Sequence, residues 1–137
     1  MRIYLDANVM ISVLLQEIGR EFRPLFIEAE KFFDKVISED HTLVLSELFF
    51  YEVEKRTSYQ KESILSYLKE LNMRVELPVE PLQLNAREIE KQGVHYPDSK
   101  HAALAMYYKC DCIMTFNMKD FEPIQNRIRV IEPNQFG

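Results

Sequence analysis

Short apolar runs recur along this chain (RIYL, TLVL, MRVEL, CIMTF and IRVIE), and most are separated by longer segments with apolar positions at helical spacing. No other feature limits the fold as much. Strands alternating with helices imply right-handed crossovers and a sheet covered on both faces, and strands this apolar fit burial on both sides. The expected fold is α/β, a three-layer sandwich with a central, mainly parallel five-stranded sheet. Helices are predicted over NVMISVLL and over EFRPLFIEAEKFFDKVIS from about Pro24, where Phe26, Ala29, Phe33, Val36 and Ile37 recur near helical spacing. ELFFYEVEKR, capped by Ser46, is a third, followed by QKESILSYLKELN, PLQLNAREIEKQG with Gly93 as its stop, and DSKHAALAMYYK.

The chain has 137 residues, few glycines, no Ser- or Pro-rich linker and no internal repeat, so one domain over residues 1–137 is expected. With 47% hydrophobic residues against 28% charged, it is too apolar for a disordered chain. No run approaches the ~20 residues of a membrane span, and MRIYLDANV lacks the apolar core and cleavage site of a signal peptide. Those features predict a cytoplasmic protein without a membrane partner. Cys110 and Cys112 lie too close to staple a useful loop and read as reduced thiols, and the histidines His41, His95 and His101 are scattered. Neither a zinc site nor a histidine-based nucleophilic site is expected. The formal net charge is −5, and no basic run exceeds the pair Lys55–Arg56, which argues against a broad electrostatic grip on nucleic acid. A metal ion supplying positive charge locally would still permit weak, local binding.

In a parallel layered fold, the loops leaving the carboxyl ends of the strands and the N-termini of the following helices gather at one rim. Asp6 directly follows the first strand. Ser46 and a helix carrying Glu47, Glu52 and Glu54 follow the second. Asp98 opens the helix that feeds the next strand, after which come Asn117 and Asp120, whereas Asp34, Glu39 and Asp40 fall at the opposite rim. Each residue alone has a plainer use: Asp6 and Asp98 as helix caps, Asn117 and Asp120 in a turn, Glu52 as a solvated helical acid. Together they pose a problem, because carboxylates about 4 Å apart repel by roughly 4 kcal/mol per pair at an effective dielectric near 20. The cluster needs a counter-ion. Carboxylates with few histidines and no thiolates are hard donors suited to Mg2+ or Mn2+, and such sites favour phosphodiester or other phosphoryl chemistry.

Taken in order, YLDANVMI, LSELFFYE, PDSKHAALA and TFNMKDF resemble the PIN domain, the metal-dependent ribonuclease fold of the VapC toxins of prokaryotic toxin–antitoxin pairs. The resemblance runs from about residue 2 to residue 122. It implies that Asp6, Glu52 and Asp98 are the acidic metal ligands, that Asp120 is the variable fourth acid, and that Asn8, Ser46 and Thr115 are supporting polar residues. Glu47 is the nearest competitor of Glu52. Asn117 stands where many members carry Asp; a neutral amide there supplies no charge for a second ion.

The reading that follows is a Mg2+- or Mn2+-dependent endoribonuclease acting on RNA, single-stranded or looped because unpaired RNA bends into an acidic cup. The resemblance further implies an antitoxin partner and a homodimer. The alternative is a PIN-like module that has lost turnover and serves as a binding or scaffold unit. No P-loop or G-x-G-x-x-G occurs to support a nucleotide cofactor. Most tyrosines and phenylalanines are expected in the core, although aromatic faces can also stack on bases.

Overall fold

The computed structural model describes residues 1–137. Five strands, β1 (Arg2–Leu5), β2 (Thr42–Val44), β3 (Arg74–Glu76), β4 (Cys112–Met114) and β5 (Arg129–Ile131), form one sheet in the order β3-β2-β1-β4-β5. Every pairing is parallel, so the sheet is wholly rather than mainly parallel. Around it lie α1 (Ala7–Leu14), α2 (Leu25–Ser38), α3 (Glu47–Thr57), α4 (Lys61–Glu70), α5 (Ala86–Lys91) and α6 (Asp98–Tyr107), with short 3-10 segments at Arg20–Phe22, Met118–Ile124 and Pro133–Gln135. No helix is long and apolar enough to cross a membrane.

Period-two alternation along the strands builds both faces. Ile3, Leu5, Leu43, Leu45, Cys112 and Met114 point into one core beneath α1, α2, α3 and α4. Tyr4, Val44 and Ile113 point into the other, closed by α5, α6 and the Met118–Ile124 segment. Phe32 and Phe33 of α2 and Phe49 of α3 are fully buried in the first core, and burying each side chain contributes roughly 2–3 kcal/mol.

Helix α5 is shorter than predicted. Asn85 caps it, its side chain accepting from the Glu88 backbone N–H at 3.3 Å, so the helix starts at Ala86 and the proline-bearing stretch before it stays outside. Gly93, at φ +109°, provides the stop.

Chain direction reverses its lateral progress at β1, which has β2 on one side and β4 on the other. Ligand crevices of open α/β sheets form at such switch points, outside the carboxyl ends of the strands. Asp6 leaves β1 and Thr115 leaves β4 at this point. The ladder runs one bond past each strand there, with Asp6 N–H donating to the Met114 carbonyl at 3.0 Å and Thr115 N–H to that of Ile131 at 3.0 Å. At the opposite rim, Asp40 pairs with Arg74 at 2.9 Å.

Candidate active site

Asp6 occupies the N-cap position of α1, yet its carboxylate makes no capping hydrogen bond. The residue is only 5% exposed, and its Oδ2 accepts the Thr115 hydroxyl at 2.8 Å. Thr115 Oγ1 in turn accepts from Asn8 Nδ2 at 3.1 Å and from the Asn117 backbone N–H at 3.0 Å. With both lone pairs occupied, its single proton is committed to Asp6. Asn8 is held by its own Oδ1, which accepts the Phe116 N–H at 3.2 Å. This small lattice fixes one oxygen of Asp6 and leaves Oδ1 free, 3.7 Å from His101 Nε2.

A second chain of bonds fixes Glu52. Ser46 caps α3, its hydroxyl oxygen accepting from Phe49 N–H at 3.1 Å. The same oxygen meets the Tyr4 hydroxyl at 2.8 Å, and Tyr4 meets His101 Nδ1 at 2.5 Å. His101 then donates from Nε2 to Glu52 Oε1. Glu47, the competitor one residue past the cap, points away and pairs with Lys61 at 2.8 Å.

Asp98 is the first residue of α6 and, like Asp6, makes no cap bond. It lines one cleft of about 530 Å3 together with Asp6, Asn8, Glu52 and Asn117. Donor atoms of Asp6, Glu52 and His101 lie within 4.8 Å of one another, and Asp98 stands outside that tight trio. Asp120 lines a separate depression with His95, Lys119 and Glu122, so it acts on Asp98 through its charge rather than by sharing the cleft. Ser46 and Thr115 stay behind the cleft as buried supports.

The electrostatics match a crowded acidic pocket. Burial, aided by the charges of Asp6, Asp120 and Glu52 and opposed by His101, pushes the Asp98 carboxyl up to about 6. Burial also raises Asp6 above its ordinary range, with Glu52 adding to the rise while His101 and Thr115 oppose it. For His101, burial alone would lower the imidazole pKa, but the Glu52 bond and the charges of Asp6 and Asp98 outweigh it and the net shift is upward. These neighbours favour the charged imidazole, set where it can balance the acids.

Sequence reasoning treated His101 as one of three scattered histidines and missed its place. A signal was present, because His101 lies three residues after Asp98, a spacing that puts both on one helix face.

A family model of the PIN domain matches residues 3–124, a span that includes every residue of the cleft. The chain belongs to the PIN domain family. Among solved structures, a chain of VapBC-1 from nontypeable Haemophilus influenzae superposes with a TM-score of 0.64 at 22% identity, covering 98% of this chain and 100% of that one. At that identity the likeness speaks for a shared PIN fold. No curated protein matches the chain.

Proposed function

We propose that this PIN domain is a Mg2+- or Mn2+-dependent endoribonuclease, acting as the toxin of a toxin–antitoxin pair. One observation carries the reading: Asp6 is a buried carboxylate at a helix start that is not used as a cap, and it shares a cleft with Glu52 and Asp98 from two other segments. The donor set fits a hard divalent ion, being carboxylate oxygens without a thiol, and burial with crowding pushes Asp6 and Asp98 toward their protonated forms when no cation is bound.

Asp6, Glu52 and Asp98 would hold the ion, with Asp120 adding negative charge nearby. When bound, such an ion supplies positive charge to a phosphate oxygen and acidifies water. The chain's own residues do the positioning. Thr115 and Asn8 lock Asp6, and the Tyr4–His101 relay locks Glu52. Asp98, which neither network holds, lines the same cleft and would be the acid that orients water toward a bound phosphate.

The fold shared with VapBC-1 supports an antitoxin partner, and a homodimer belongs to the same reading. Incubating the purified chain with RNA in Mn2+ and in EDTA tests the activity, with Asp6→Asn as the control. Cleavage that needs the metal and vanishes in Asp6→Asn is the expected result. Metal-independent cleavage, or cleavage surviving Asp6→Asn, overturns it, and RNA left intact under all conditions favours the binding-module alternative.

A further inference from the structure

The acidic cleft has a wall that the metal-binding reading leaves unused. Along α3 the residues facing it are Leu48, Tyr51, Glu52, Lys55 and Arg56, the i, i+3, i+4, i+7 and i+8 positions of one helical face. The turn before α6 adds Tyr96, beside Asp98, to the same lining. Tyr51 is 63% exposed and Tyr96 is 64% exposed, whereas Tyr4, Phe32, Phe33, Phe49 and Phe121 are buried in the cores; the other exposed rings, Phe22, Tyr59 and Tyr107, do not line this cleft. Leaving two large rings in water at the mouth of one cleft has no packing rationale, since each ring contributes by burying its face.

The charges of that wall are equally uneven. Lys55 and Arg56 form the longest basic run in the sequence, and the fold delivers both to the rim of the pocket richest in carboxylates. Arg56 is partly engaged by Glu17 at 3.4 Å, while Lys55 has no carboxylate partner. A cation held on an acidic rim without an ion pair can meet an incoming phosphodiester without first breaking one. The cleft volume of about 530 Å3 lies within the roughly 300–1,000 Å3 range of sites that enclose a small ligand unit.

We propose that Tyr51 and Tyr96 form a base-stacking subsite beside the acids and that Lys55 takes the phosphate flanking the stacked base, so that the cleft selects an unpaired nucleotide next to the bond it cuts. This rests on the ribonuclease reading and adds a physical origin for strand selectivity. A duplex keeps its bases stacked on one another and offers no free face, whereas a single strand can splay one base between the two rings.

The test compares the wild-type chain with Tyr51→Leu, Tyr96→Leu, Tyr51→Phe, Tyr96→Phe and Lys55→Gln, using a fluorescein-labelled single-stranded RNA, the same strand in a duplex, and the same strand with one abasic position, all with Mn2+. Stacking lost from one base predicts a KM five- to hundredfold higher in each Leu variant, with kcat little changed and each Phe variant within about twofold of wild type. Lys55→Gln is expected to lower the salt dependence of binding by about 0.7 in the log–log slope. If wild type cuts single strands while the Leu variants keep both its KM and its preference over duplex, the subsite is wrong and the nuclease reading stands. If wild type neither cuts nor binds RNA, both fail. Leu variants that lose only a protein partner, with RNA kinetics intact, also overturn the subsite and assign this wall to protein binding.

Discussion

Replacing Asp98 by Asn should make the metal-free protein more stable while abolishing its response to metal. In the absence of a cation, burial first, and then the charges of Asp6, Asp120 and Glu52 against the opposing His101, push the Asp98 carboxyl up to about 6 from the ordinary 3.8. The native state therefore holds the proton more tightly than the unfolded chain between those two values. Stability from this group falls as pH rises through that window and stays lowered above it. The gap of about two units at 1.36 kcal/mol each gives on the order of 3 kcal/mol, which solvent screening at the cleft mouth reduces to about 1–2 kcal/mol. The neutral isostere removes this cost. For a domain of 137 residues that corresponds to a Tm rise of roughly 3–8 °C in EDTA at about pH 7.5. The assay is thermal unfolding of both proteins in EDTA from about pH 4 to 8, then with millimolar Mg2+ or Mn2+ added. Wild type should lose stability across the acidic window and regain it with metal; Asp98→Asn should do neither. A variant less stable than wild type in EDTA, with an undiminished metal-induced shift, would refute the reasoning, because Asp98 would then be a structural ligand of the fold rather than one of a repelling set.

Thr115→Val keeps the shape but removes the hydroxyl that donates to Asp6 and accepts from Asn8 and Asn117. It should cost about 1–3 kcal/mol in denaturant unfolding, lower the apparent metal affinity about 10- to 100-fold, and be largely reversed in Thr115→Ser. Burial pushes the Cys110 and Cys112 thiols up to about 12 and about 11, so native protein at about pH 8 should resist iodoacetamide and take up label at both only after denaturation. Fast native labelling at either position, read by mass spectrometry, would show that the α6–β4 packing opens.

The layered sheet was legible because strand burial here is two-sided. After Arg2, IYL is apolar without interruption, as is CIM before Thr115, a pattern that suits a covered parallel strand, and the lengths between them leave room for helical crossovers. The start of α5 was not legible in the same way. PLQLN continues the apolar character of AREIEK, so periodicity alone could not see that Asn85 would satisfy the first turn and exclude the residues before it.

The site separates along a similar line. Carboxylates reach the rim by topology, which sequence order encodes, so Asp6, Asp98 and the acid-bearing helix α3 could be placed there before any coordinates, while the choice of Glu52 over Glu47 came from the PIN resemblance. What each carboxylate does once there depends on partners far away in the chain. Asp6 looks like a helix cap from its neighbours, and only Thr115, which reaches it across the β1–β4 pairing, reveals that the cap is unused. Glu52 looks like a solvated helical acid until Tyr4 and His101 are seen behind it. His101 is 0% exposed, and the acids around it shift its titration upward, favouring the charged form where they gather. Its sequence neighbourhood, KHAALA, reads as a packing helix, because the ring stands on the sheet-facing side that also carries the small residues. A buried histidine can serve as an ordinary core residue or as the counter-charge of a carboxylate pocket. What decides between them is the direction of its two nitrogens: one is tied to a phenol on β1, the other faces two acids.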